Sequence, residues 1–157
     1  MLRKLGMIAV LSLIVAALAA VPALAQNPHF VGQLVGRDAG TQLQVSGKVA
    51  GLGNEPVNVL VEAEGIAEVQ CRNPGGNIAP GQDTEVDVEG QSGPIQPRHG
   101  QITFSVLTAT PTVSGAEACP NPQWTAEVTD VRFTSATVTV FDLAGNILVG
   151  PSPVTIR

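Results

Sequence analysis

Cys119-Pro120-Asn121-Pro122-Gln123-Trp124-Thr125-Ala126-Glu127-Val128-Thr129-Asp130-Val131-Arg132-Phe133-Thr134-Ser135-Ala136-Thr137-Val138-Thr139-Val140-Phe141 holds one of the two cysteines, the only tryptophan and two of the four phenylalanines. It is also the longest strand-like run in the chain. β-Branched and aromatic residues at alternate positions fit the pleated, half-buried surface of a sheet. Trp124, Ala126 and Val128 share one parity, and Val131 and Phe133 share the other. Ala136, Val138 and Val140 then return to the first. A flat strand cannot change faces without a bulge or a turn. A bend near Thr129-Asp130 and a turn at Thr134-Ser135 are expected, making the stretch a hairpin.

Such a hairpin needs partner strands, and the preceding chain supplies them. Residues 29–35 read as a first strand and residues 36–40 as a turn. Over residues 41–50, Leu43 and Val45 alternate with Gln42 and Gln44, and Gly47 reads as a bulge. Residues 57–63 place Val57, Val59, Val61 and Ala63 inward. Gly65 reads as an interruption, after which Ala67, Val69 and Cys71 resume the parity. Residues 72–82 are the most turn-dense part of the chain, with Asn-Pro and Gly-Gly pairs that favour turns. Residues 84–89 alternate Val86 and Val88 with Glu85, Asp87 and Glu89. Residues 101–110 place Ile102, Phe104 and Val106 on one face, and residues 111–122 read as a loop. Asp142-Leu143-Ala144-Gly145-Asn146 is a second hairpin turn. Residues 147–156 form the last strand, confined to an edge by Pro151 and Pro153. With 17 Gly and 12 Pro between such runs, the expected fold is all-β: an immunoglobulin-like antiparallel β-sandwich of about seven to nine strands with one disulfide.

The first 25 residues pose a different physical problem. Arg3 and Lys4 precede an apolar run, Pro22 breaks it, and Ala23-Leu24-Ala25 has the small-x-small form of a signal-peptidase site. Residues 1–25 read as a signal peptide and residues 26–157 as a single domain, secreted or otherwise extracytoplasmic. The alternative is an uncleaved anchor, for which the apolar run is near the lower length limit. No stable membrane span is expected after cleavage.

In an exported chain, two cysteines imply one structural disulfide, Cys71–Cys119. Lost loop entropy in the unfolded chain gives such a bond roughly 4 kcal/mol. Removing Arg3 and Lys4 takes the formal net charge from −5 to −7. That sign disfavours nucleic acid and anionic lipid as partners.

Two resemblances bear on the fold. Val128-Thr129-Asp130-Val131 followed by Thr134-Ser135-Ala136-Thr137-Val138 resembles the first hairpin of fibronectin type III modules. The chain departs from that family in having no tyrosine and in placing this hairpin near the C-terminus. The Cys71-Arg72-Asn73-Pro74-Gly75-Gly76-Asn77 segment is similar to a loop of uncharacterised secreted bacterial β-sandwich proteins. Neither resemblance implies an activity.

Catalysis needs convergent polar groups with matched pKa values. His29 and His99 both fall in loop or edge context. Ser46, Ser92 and Ser105 are the serines from which a Ser–His–Asp site would have to be built. No Gly-x-Ser-x-Gly elbow, phosphate loop or dinucleotide fingerprint occurs, so no catalytic residue and no cofactor are assigned. Glu62 and Glu64 on one strand, and Glu85, Asp87 and Glu89 on another, would crowd five carboxylates on one face if those strands pair. Ca²⁺ would relieve that crowding, although the simpler expectation is a solvated face. Trp124 is expected to pack near the disulfide.

The remaining surface is loops. The disulfide would pin residues 72–82 against residues 111–122, presenting Arg72, Asn73, Asn77 and Gln82 on a rigid edge. The expected function is an exported non-enzymatic binding or structural module of the cell exterior. Its partner would be a protein or a cell-surface component. The alternatives are a secreted inhibitor of an extracellular hydrolase offering the 72–82 loop, and a small hydrolase.

Overall fold

In a computed structural model the protein is described over residues 27–157; the signal peptide read over residues 1–25 lies outside them. The elements in chain order are β1 (His29–Phe30), β2 (Val35–Asp38), β3 (Leu43–Ala50), β4 (Val57–Arg72), β5 (Ile78–Pro80), β6 (Thr84–Gln91) and β7 (Ile102–Leu107). A short helix α1 (Gly115–Ala118) follows, and β8 (Thr125–Asp142), β9 (Ile147–Pro153) and β10 (Thr155–Ile156) complete the chain. They form two sheets enclosing one apolar core, an all-β sandwich. The described residues hold more strands than the seven to nine expected because β1, β5 and β10 are only two or three residues long.

In the first sheet β3 is central, flanked by β2 and β1 on one side and β7 on the other, with β10 beyond β2. Leu43, Val45 and Val49 of β3 and Ile102, Phe104 and Val106 of β7 are buried, following their period of two. Three readings are corrected here. The expected first strand is split by Gly32, at φ +74°, into β1 and β2. The turn expected at residues 36–40 falls later, where Ala39 N–H donates to Gln42 O (2.9 Å) and Gly40 N–H to Asp38 Oδ1 (2.8 Å). Gly47 is not a bulge, because β3 and β7 pair in unbroken register through it. A Cβ there would lie 2.5 Å from Leu34 Cδ2 and 2.8 Å from Phe104 Cζ, so neighbouring side chains fill its space.

The second sheet is built on β4, with β8 on one side, β6 and β5 on the other, and β9 beyond β8. Gly65 does not interrupt β4, whose 16 residues alternate from Val57 to Arg72. Cβ-less Gly65 lets β8 approach, since a Cβ would meet Val131 Cγ1 at 2.8 Å. The expected hairpin at Thr134-Ser135 is also corrected: β8 is one strand of 18 residues. The register with β4 slips twice, Thr129 and Thr134 being the unpaired extra residues. Two bulges thus absorb the parity changes for which a turn is expected, keeping Val131, Phe133, Ala136, Val138 and Val140 on the one buried face. The Thr129 hydroxyl donates to Glu68 O (3.1 Å) and the Thr134 hydroxyl to Glu64 O (3.3 Å), which ties each extra residue to β4. The segment resembling a fibronectin type III hairpin is therefore a single bulged strand.

The C-terminal segment belongs to both sheets. Val154 N–H donates to Ala136 O of β8, and Thr155 N–H to Leu34 O just before β2 (3.0 and 2.9 Å). β10 then runs parallel to β2, the one departure from an antiparallel sandwich among the described pairs. The connection after β7 also crosses between sheets. Thr108 N–H donates to Leu43 O (3.0 Å), and Ala109 N–H to Glu89 O (2.7 Å).

Candidate functional site

Cys71 and Cys119 are bonded, with 5.7 Å between their Cα atoms and 48 residues of sequence separation. The odd parity that buries Val57 through Val69 carries Cys71 inward at the end of β4. Cys119 follows α1, whose first turn is fixed by Glu117. That carboxylate accepts from the Ser114 hydroxyl (2.8 Å) and the Ser114 amide (3.3 Å). These bonds, the hydroxyl first, favour its charged form and lower its pKa. The disulfide thus joins a strand to a helical turn, and residues 72–82 and 111–122 do meet: Gln82 N–H donates to Ala118 O (2.8 Å).

The stretch read as a binding loop is itself folded. Ile78–Pro80 returns as β5 onto residues 70–72, making a hairpin. Asn73 and Asn77 close its turn. Asn73 N–H donates to Asn77 O (3.0 Å), and Asn77 N–H to Asn73 Oδ1 (2.9 Å), with Gly76 at φ +85°. Arg72 lies 3.6 Å from Glu127. Asn73 and Asn77 therefore hold the hairpin turn, while Arg72 pairs with Glu127 of β8 and Gln82 is tied through its backbone to Ala118. Ile78, 54% exposed, is the large apolar side chain that this hairpin shows to solvent. Beside it is an open depression of about 390 Å³ that Glu68, Gln70, Asp83 and Thr129 help to line.

Trp124 is half-buried and is not among the side chains packed on the core. Its carbonyl abuts Gly115, the first residue of α1, so its backbone supports the segment that carries Cys119. Of the serines, Ser92 Oγ accepts from Val59 N–H (2.9 Å) and Ser105 Oγ from Gln44 Nε2 (3.2 Å). His29 Nδ1 contacts Asn27 O (2.8 Å), and His99 is an exposed turn residue at φ +52°. These contacts do not assemble a nucleophile and base.

The acidic strands are neighbours. Glu62 stands opposite Glu89, Glu64 opposite Asp87, and Ile66 opposite Glu85. All five carboxylates are exposed, and the Ser135 hydroxyl donates to Glu64 Oε2 (2.8 Å). The two ion pairs on this sheet, Arg72–Glu127 and Arg132–Glu68, leave all five aside. The carboxylates run along two strands, whereas Ca²⁺ requires oxygens converging at about 2.3–2.6 Å. No group of three or more His, Cys, Asp or Glu among the described residues is placed to hold a metal ion.

A second concavity escaped the sequence reading. A groove of about 470 Å³ runs between β6, over residues 84–89, and residues 109–113, with Glu117 at one side. Its far wall exists because the chain leaves β7 at Thr108 and crosses onto β6, a path that alternation in residues 101–110 does not specify. Comparison of the chain with protein-family models and with curated proteins finds no match.

Proposed function

We propose that the protein is an exported, non-enzymatic binding or structural module of the cell exterior, matured by removal of residues 1–25. The observation that carries this reading is the Cys71–Cys119 bond, which fastens the hairpin of residues 72–82 and the segment around α1 into one rigid border. Disulfides persist in oxidising compartments. The bond, and the finding that no helix of the described residues is long and apolar enough to cross a membrane, are compatible with an extracytoplasmic location. A pre-ordered border loses little conformational entropy on docking, which suits recognition of a protein or cell-surface component.

The test is retention of labelled residues 26–157 on envelopes of the producing cells. Saturable retention, competed by unlabelled protein, is expected, together with no turnover of chromogenic esters. Absence of saturable retention, or ester turnover by purified protein, would overturn the reading. A second reading, a secreted inhibitor of an extracellular hydrolase, is favoured by the turn locked through Asn73 and Asn77 beside exposed Ile78. Protease inhibition that disappears with Ile78→Asp would select it.

A further inference from the structure

The outer edge of β6 is an unfilled strand position. Ser92 and Val59 form a hydrogen-bonded pair, Ser92 N–H donating to Val59 O and Val59 N–H to Ser92 Oγ (2.9 Å each). Antiparallel ladders alternate, so Gly90, Val88 and Val86 turn their backbone groups toward β4, and Glu89, Asp87 and Glu85 turn theirs away. Ala109 N–H takes Glu89 O, which confirms that phase. Among the described residues, no backbone hydrogen bond reaches the outward side of Asp87 or Glu85. It is here that residues 110–113 diverge and the groove opens.

The groove also has a charge. Glu85, Asp87, Glu89 and Glu117 line it, and no basic residue does. Glu62 and Glu64 on β4 stand opposite Glu89 and Asp87, so like charges face each other, and the ion pairs Arg72–Glu127 and Arg132–Glu68 do not reach them. Underneath, half-buried Val86 and Val113 offer an apolar floor.

We propose that this groove takes an extended basic peptide segment, which adds to β6 as a strand, its Lys or Arg side chains facing Glu85, Asp87 and Glu89 and its alternate aliphatic side chains facing Val86 and Val113. Main-chain bonds to the edge supply affinity, and the alternation supplies selectivity. The proposal rests on the binding reading above and names the partner chemistry.

The test uses oxidised residues 26–157, labelled with ¹⁵N, and two capped hexapeptides: alternating Lys-Val and alternating Glu-Val. The Lys-Val peptide is expected to shift the Glu85 and Asp87 amides and slow their hydrogen exchange. The Glu-Val peptide is expected to leave them unchanged. The double variant Glu85→Gln/Asp87→Asn should bind the Lys-Val peptide about threefold to tenfold more weakly. Asp87→Pro should abolish slowed exchange at Glu85, because it removes an edge donor and leaves the β4 ladder intact. The spectrum of each variant reports whether it is folded, and the Gln/Asn variant decides the matter if the Pro variant is not. Absence of shifts at millimolar Lys-Val peptide would overturn the proposal. Equal shifts along Glu62, Glu68 and Glu127 without slowed exchange at the edge would also overturn it, leaving the carboxylates as guards against strand pairing. Envelope retention that survives in the Gln/Asn variant, alongside an unresponsive edge, would sink this inference alone and leave the binding reading standing.

Discussion

Asp142 closes the turn between β8 and β9 with its own carboxylate. Oδ2 accepts from Asn146 Nδ2 (2.7 Å), and Oδ1 from the amides of Asn146 (2.8 Å) and Ala144 (2.9 Å). Bonds to the charged form, the Asn146 side chain first, hold its pKa below the ordinary 3.8. A depressed folded pKa contributes stability that is present above the unfolded value and lost as pH falls through the folded one. Asn146→Ala is expected to raise the Asp142 titration toward its ordinary value, read by carboxyl ¹³C shifts, with Glu117 unmoved as the internal control. An unchanged Asp142 curve would show that the side-chain bond is not formed in solution. This turn was legible because Asp-x-x-Gly-Asn carries its own geometry, with Gly145 at φ +88°. Gly47 and Gly65 were not. A glycine that admits Leu34 and Phe104, or the backbone of β8, looks in the sequence like one that breaks a strand, because its reason is on another strand.

Among the elements, β8 shows the same limit. The two parity changes were visible in the order Val128, Val131, Phe133, Ala136, and they located both irregularities to within a residue. Whether each was a turn or a bulge depended on the partner. β4 extends unbroken over 16 residues and offers pairing to both halves of β8, so the chain keeps going. Deleting Thr134 takes out the unpaired residue and leaves Phe133 and Ser135 opposite Gly65 and Glu64, so Val131, Phe133, Ala136, Val138 and Val140 fall on one parity and all stay inward. The deletion is therefore expected to leave the chain folded, at a cost of about 1–2 kcal/mol for the lost hydroxyl bond and the straightened bulge. Thr134→Val keeps the residue count and forfeits one exposed hydroxyl bond, a loss of about 1 kcal/mol. Urea unfolding checks both variants. A deletion variant that fails to fold would show that Thr134 is not the extra residue.

At the scale of the molecule, the disulfide and the all-β class followed from composition and alternation, whereas the sheet order did not. Alternation says which side chains point inward but not which strands lie side by side. Pairing of the acidic strands, the parallel β10 and the crossing at Thr108 all required the neighbours to be known. The candidate site followed suit: Cys71 and Cys119 were readable, the groove beside β6 was not. Cys71→Ser/Cys119→Ser is expected to lower unfolding stability by roughly 4 kcal/mol for a 48-residue separation. Thermal unfolding of oxidised and double-mutant protein checks this, and equal midpoints would show that the bond does not constrain the unfolded chain. Native-state hydrogen exchange tests the central claim, one bulged β8 strand paired along an unbroken β4, most directly. The β4 amides from Val59 to Val69, and those of β8 that face them on both sides of Thr134, should be protected as a single block, while Glu85 and Asp87 on the free β6 edge exchange fast. Fast exchange across residues 132–136, dividing β8 into two separately opening strands, would contradict it.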